Sequence, residues 1–142
     1  IAEIIESPGS QKTMKGINTL DEKIDKLEDL IENKKVTLEP EPSKSYAFCS
    51  DTAFYPKIVP QIKNVSVLYH EATFLESHHH LCDKTKHSTA KEAAVIAKKA
   101  EVGTLILGHY SGRYGDLSFF KKEAEEVFFN VELAEDGKEF DI

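Results

Sequence analysis

The 142-residue chain has no tryptophan, one methionine and two cysteines. Cys49 and Cys82 lie far apart, without the Cys-X-X-Cys spacing of zinc ribbons and redox sites. The sequence therefore predicts no disulfide scaffold and favours a reduced, intracellular protein. We expect Cys49 to be an inert thiol within an apolar strand, and Cys82 to lie in a polar loop.

Long apolar runs are also absent. No segment approaches the roughly 20 apolar residues of a membrane helix, and no charged segment followed by an apolar one opens the chain as in a signal peptide.

Acidic residues outnumber basic ones by 25 to 18, which opposes binding of nucleic acid by a uniformly basic face but leaves room for a local basic patch. No glycine-rich phosphate loop, Walker motif or nucleophile elbow occurs. We expect a cytoplasmic protein without membrane association.

The composition changes near residue 43. Residues 1–43 predict an irregular N-terminal segment, in which the charged run 22–33 forms either a helix or a solvated arm. The prolines of Glu39–Ser43 then interrupt regular structure.

Residues 44–142 alternate apolar strands with helical patterns, which predicts an α/β domain with a β-sheet flanked by helices. The predicted strands are Tyr46–Cys49, Val65–Tyr69, Thr104–Leu107, Val131–Leu133 and Glu139–Ile142. The predicted helices are Pro56–Lys63, one opened by a capping box at Thr89 and reaching Ala100, and one from Asp116 or Ser118 to Phe128.

Polar clusters follow the predicted strands. They are Ser50–Thr52, His70–Thr73, His87–Thr89 and Gly108–Ser111. Because the carboxyl ends of parallel strands meet at one edge of a sheet, these clusters predict a metal or acid–base site there. The run His78–His80 is not spaced for one metal, since consecutive histidines in a loop point in different directions.

Each candidate residue keeps a structural alternative. Asp51 can bridge two cations or cap a turn, and His109 can bind a metal or serve a purely structural role. Glu71 can orient His87 as a proton donor, or the pair can be structural. Arg113, the only arginine of the chain, suits a phosphate or a surface ion pair.

In this order the clusters resemble ribonuclease Z, the tRNA 3′-end endonuclease family of the metallo-β-lactamase superfamily. The resemblance covers roughly residues 44–142 and corresponds to the C-terminal part of that family. The matching segments are Tyr46–Thr52, Leu68–Phe74, His87–Ala90, Leu107–Tyr114 and Glu132–Gly137.

The resemblance implies roles for four residues. Asp51 corresponds to the aspartate that bridges two zinc ions, and His109 to the C-terminal histidine ligand of one zinc. His87 and Glu71 correspond to the pair proposed to pass a proton to the leaving 3′-oxygen of the tRNA. The family motif HxHxDH is absent, so the chain carries two of the seven family ligands and at most part of the two-zinc site.

The resemblance also implies the surroundings of the site. Residues 44–142 would form one half of an αββα sandwich with an uncovered sheet face, and Ser111 and Arg113 would lie beside the bound RNA. Residues 1–43 would be the remnant of an arm that clamps tRNA. Precursor tRNA is the implied substrate, and a homodimer the implied assembly.

Three hypotheses follow. The chain is part of a zinc-dependent tRNA endonuclease and inactive by itself; or it is a truncated, non-catalytic protein that binds RNA or a partner; or it belongs to another hydrolase of the metallo-β-lactamase fold. Histidine and aspartate ligands also suit Mn²⁺, so the ligand types do not fix the metal.

Overall fold

The computed structural model describes residues 19–31 and 41–141. The chain divides into two compact units, Ile1–Pro42 and Ser43–Ile142. In the first unit, residues 19–31 form helix α1. This helix overlaps the predicted run 22–33, of which positions 32 and 33 lie outside the described residues. Its apolar side chains are all exposed: Leu20, Ile24, Leu27, Leu30 and Ile31.

The second unit is built on a four-stranded parallel sheet in the order β1-β2-β3-β4. The strands are β1 (Tyr46–Cys49), β2 (Val67–Glu71), β3 (Thr104–Gly108) and β4 (Val131–Leu133). Parallel neighbours require crossover connections, and helical segments supply them between successive strands. The predicted α/β class is confirmed.

Helices connect the strands and pack on the sheet. The α-helices are α2 (Cys82–Thr85), α3 (Ala90–Ala100) and α4 (Ser118–Glu125), and 3₁₀ helices span Pro56–Gln61 and Glu76–Leu81. The predicted capping box at Thr89 is present: its side chain accepts from the Glu92 amide, and Glu92 accepts from the Thr89 amide. No described helix combines the length and apolar composition needed to span a membrane.

The core lies between one face of the sheet and helices α3 and α4. Leu68, Leu105 and Leu107 alternate onto this face and are fully buried, as are Ile96 of α3 and Phe120 of α4. The alanines of α3 are buried with them, and their small side chains let the helix approach the strands closely.

The opposite face of the sheet is only partly covered in the described chain, since Val67 and Ile106 are buried and Tyr46 is exposed. Phe48 is 63% exposed, and its ring stacks on Tyr69 with 4.6 Å between centroids. A cavity on this face is lined by Tyr46, Tyr69 and Ile106 of the sheet and by Phe140. An apolar sheet face of this kind normally packs against another layer of structure.

The predicted final strand, Glu139–Ile142, is wrong for 139–141, and Ile142 lies outside the described residues. After β4 the chain turns back, and the Lys138 ammonium donates to the Leu133 carbonyl oxygen at 3.1 Å. Phe140 then lies against the open face instead of pairing at the sheet edge.

Several predicted bounds are also corrected. Strand β2 begins two residues later than predicted and reaches Glu71. The predicted helix at Pro56 is a 3₁₀ helix, because Pro60 within it cannot donate an α-helical hydrogen bond. Helix α4 ends at Glu125 rather than Phe128. Cys82, predicted in a polar loop, is buried in α2, and burial raises the pKa of its thiol to about 11.

His70 makes the stability of the fold sensitive to acid. It is 2% exposed on β2, its Nδ1 lies 2.7 Å from the Glu71 carbonyl oxygen, and burial lowers its pKa. Because the unfolded chain takes up this proton more readily, the free energy of unfolding should fall as the pH drops below about 6.5, by up to ~1.4 kcal/mol per pH unit.

The measurement is urea unfolding as a function of pH for the natural chain and for His70→Gln, which does not titrate. The difference between their slopes isolates the His70 contribution. Parallel slopes would contradict the assignment.

Candidate metal centre

The candidate site lies at the carboxyl edge of the sheet. Asp51 follows β1 after a single residue, and His109 directly follows β3. Both adopt the left-handed backbone conformation, with φ of 50° and 59°. Non-glycine residues seldom hold this conformation unless the surrounding structure imposes it, and such positions are concentrated at functional sites.

Three side chains converge at this edge. One ligand atom from each of Asp51, His87 and His109 lies within 4.8 Å of the others. His109 Nε2 is 3.2 Å from Asp51 Oδ1, and the ring centroids of His87 and His109 are 5.1 Å apart. The Asp51 and His109 side chains are 71% and 39% exposed, so a cation and a substrate can reach them from solvent.

Glu71 lies behind these residues and is fully buried. Its carboxylate accepts four hydrogen bonds, from the Thr52 amide (2.6 Å), the Thr73 hydroxyl (2.6 Å), His87 Nδ1 (2.8 Å) and the Ser88 amide (3.2 Å). These donors offset the cost of placing a carboxylate in the protein interior. No buried side-chain polar atom in the described part of the chain lacks a partner.

The bond to Glu71 fixes the proton arrangement of His87. A carboxylate only accepts, so Nδ1 of His87 must carry a proton. Nε2 is then the ring atom that remains for a metal or a reacting group. The His87 side chain is 22% exposed, in contrast to the buried carboxylate that holds it.

Further hydrogen bonds tie the loops of the site together. The Ser88 hydroxyl donates to the Thr52 carbonyl oxygen at 2.7 Å, which joins the loop after β1 to the segment before α3. The Ser111 amide donates to the Thr73 carbonyl oxygen at 3.1 Å and joins the loops after β3 and β2.

Ser111 and Arg113, the predicted substrate-binding residues, lie on the loop after β3. Arg113 Nε donates to the Ser111 hydroxyl at 3.1 Å, and its guanidinium carbon lies 5.1 Å from the centroid of the Phe74 ring. Arg113 is exposed. A guanidinium held by an aromatic ring and one hydrogen bond keeps other N–H groups for a phosphate.

The donor set fits a divalent metal. The Asp51 carboxylate and the His109 imidazole are ligands that zinc, manganese and related ions accept, and the His87 imidazole lies within reach of the same position. Two or three protein ligands leave coordination positions open for water, substrate or further ligands, as in catalytic rather than structural zinc sites. Asp51, His87 and His109 are the only such group among the described residues, and the His78–His80 run forms none.

The sequence reasoning missed the supporting groups of the site. It did not single out Thr73, or the amides of Thr52 and Ser88, as partners of Glu71. It gave His87 itself a proton-donor or a structural role and not a ligand role, whereas the structure also places it within reach of a shared cation. The spacing of Glu71 and Thr73, two residues apart at the end of a strand, was the available signal for the threonine.

Comparison with known proteins found relatives of similar sequence. The chain is 46% identical over 114 residues to a protein named ribonuclease Z from Parabacteroides distasonis, a match covering 80% of this chain and 38% of that protein. A ribonuclease Z from Porphyromonas gingivalis is 46% identical over 113 residues, covering 80% and 37%. The chain is thus similar to part of two proteins named ribonuclease Z. It spans less than two fifths of the length of these relatives.

A solved structure supports the fold. YhfI from Bacillus subtilis, described as a metallo-β-lactamase fold protein, superposes with a TM-score of 0.63 at 28% identity, over 68% of this chain and 39% of that chain. The predicted relation to the metallo-β-lactamase fold is confirmed. A scan against protein-family models returned no match.

Glu71→Gln should destabilise the fold. The amide replaces one accepting oxygen by a donor, which leaves buried donors unpaired at a cost of about 1–3 kcal/mol. Urea unfolding measures the loss, and Glu139→Gln on the exposed surface is the matched control. Equal stability of the two variants would show that Glu71 does not organise the site.

Proposed function

We propose that this chain is part of an endoribonuclease that cleaves precursor tRNA at its 3′ end by zinc-dependent phosphodiester hydrolysis. One observation carries the proposal: in a chain similar to part of ribonuclease Z proteins, Asp51, His87 and His109 converge beside the buried carboxylate of Glu71. One edge of the sheet thus carries two of the groups that hydrolysis of a phosphodiester requires. They are a pair of side chains that can bind a metal and a histidine that can donate a proton.

Asp51 and His109 would hold the metal. Bound zinc supplies a nucleophile derived from water at neutral pH and stabilises charge on the phosphate. The two side chains present an oxygen and a nitrogen 3.2 Å apart. The HxHxDH motif that provides further ligands in the family is absent from the chain, so we expect these residues to form only part of a two-zinc site.

His87 would act as the general acid. Departure of the 3′-oxygen of the tRNA requires a proton, and Nε2 of His87 is the ring atom that is free to deliver one while Nδ1 stays bonded to Glu71. Glu71 therefore positions the imidazole.

Ser111 and Arg113 would contact the RNA beside the cleaved phosphate. Arg113 is exposed and connected to the site through the Ser111 amide, which donates to Thr73. The net charge of −7 disfavours a general electrostatic attraction to RNA. Contact with a phosphate therefore depends on individual exposed cations such as the Arg113 guanidinium.

The wider assignments follow from the same resemblance. We infer that residues 44–142 are the C-terminal half of a metallo-β-lactamase domain, and that 1–43 are the remnant of a tRNA-binding arm. The open sheet face around Phe48 and Tyr69 fits one half of a sandwich. A cytoplasmic homodimer is the expected state of the complete enzyme.

The 142-residue chain by itself should bind zinc weakly and leave precursor tRNA intact, because it supplies only part of the ligand set. Calorimetric titration with zinc and incubation with a precursor tRNA carrying a 3′ trailer test both points. Metal-dependent cleavage by the purified chain would refute the expectation.

The test uses the protein encoded by the longest reading frame that includes this chain. In that protein, His109→Ala should lose bound metal and activity together. His87→Ala should retain metal and cleave about 10²–10⁴-fold more slowly, as expected for loss of a general acid. Metal content and single-turnover cleavage rates are the two measurements.

Exposed His80→Ala is the matched control and should change neither quantity. Equal metal loss in His87→Ala and His109→Ala would contradict the proton-donor role and make His87 a ligand. A longer protein that binds zinc but never cleaves precursor tRNA would favour another metallo-β-lactamase hydrolase or a non-catalytic binding protein.

A further inference from the structure

Thr73 joins the buried carboxylate to one of the candidate metal ligands. Its hydroxyl oxygen lies 2.6 Å from Glu71 Oε2 and 2.9 Å from His109 Nδ1. The residue is 7% exposed, so water has little access to these bonds. The role described above for this side chain is limited to its hydrogen bond with Glu71.

The hydrogen bonds among Glu71, Thr73 and His109 fix which atoms carry the protons. A threonine hydroxyl has a single proton, and an ionised carboxylate can only accept. The contact with Glu71 is the shortest that Thr73 makes, so the hydroxyl proton lies on that bond. The hydroxyl oxygen must then accept from His109, which places a proton on His109 Nδ1.

Any other direction of the Thr73 hydroxyl proton would bring two hydrogen-bond acceptors into contact. If the hydroxyl donated to the His109 carbonyl oxygen, at 3.1 Å, or to Nδ1, its oxygen would face the Glu71 oxygen at 2.6 Å without an intervening proton. Burial makes such an unpaired contact costly. The hydrogen bonds therefore run from His109 through Thr73 to Glu71.

We propose that Thr73 is a positioning residue that holds His109 with its proton on Nδ1 and thereby leaves Nε2 free to bind a cation beside Asp51. This inference rests on the proposed metal-binding role of His109. The Nε2 atom faces Asp51 Oδ1 at 3.2 Å, and without a proton between them these two atoms form a site for a cation.

Glu71 then orients both histidines of the site. It binds His87 Nδ1 directly at 2.8 Å and reaches His109 through Thr73. Groups of this kind, which fix the orientation and tautomer of a ligand histidine, typically change metal affinity about 10–100-fold when removed. Loss of Thr73 should affect His109 alone, whereas loss of Glu71 should affect both rings.

The test is the ¹⁵N spectrum of the histidine rings in the metal-free chain at mildly alkaline pH, where an ordinary imidazole is neutral. Two-bond proton–nitrogen correlations identify which nitrogen carries the proton. The natural chain should show His109 protonated at Nδ1. Thr73→Val, which keeps the shape of the side chain but lacks the hydroxyl, should lose this preference, and Thr73→Ser should keep it.

His87 is the internal control, because its bond to Glu71 does not pass through Thr73 and its tautomer should be unchanged in both variants. Zinc or cobalt affinity should fall about 10–100-fold in Thr73→Val and little in Thr73→Ser. His109 protonated at Nε2 in the natural chain would overturn the inference without any variant. So would a Thr73→Val spectrum in which His109 is unchanged, or in which His87 shifts equally.

These outcomes are separate from the proposed function. A correct tautomer in a longer protein that fails to cleave precursor tRNA would refute the function and leave the role of Thr73 intact. Cleavage by a protein whose His109 carries its proton on Nε2 would refute the role of Thr73 and leave the proposed function intact.

Discussion

A buried carboxylate is the constraint on which the site depends. Glu71 is fully enclosed, and such a group is tolerated only when its oxygens are occupied by donors. Those donors come from Thr52, Thr73, His87 and Ser88. Satisfying one carboxylate thus fixes the loop that carries Asp51, the orientation of His87 and, through Thr73, that of His109. Stability and chemistry are coupled, because the bonds that make Glu71 acceptable in the interior also arrange the residues around it.

The parallel sheet explains why these residues meet. Strands β1, β2 and β3 run side by side in one direction, so the segments after Cys49, Glu71 and Gly108 emerge at a common edge. Helices α3 and α4 cover one face and supply the core, while the other face remains open around Phe48. The described residues contain one group that could hold a metal ion. The relatives of the chain are more than twice as long as its matched part.

The sequence was sufficient for the fold class and for the set of strands that frame the site. Runs such as Thr104–Leu107 are short, apolar and rich in branched residues, and the capping box at Thr89 marks a helix start by local chemistry alone. The assignment of Glu139–Ile142 failed for 139–141 because strand pattern cannot show whether a sheet edge receives a partner. Thr73 was missed because its importance depends on a proton shared between residues 36 positions apart in the chain.

The central claim is that Asp51 and His109 face a common cation at the edge of the sheet. The most direct measurement is anomalous diffraction from crystals of the purified chain grown with cobalt or zinc. The account predicts a peak between Asp51 Oδ1 and His109 Nε2, with His109 Nδ1 still bonded to Thr73. A bound metal at the His78–His80 run, with none between Asp51 and His109, would contradict it.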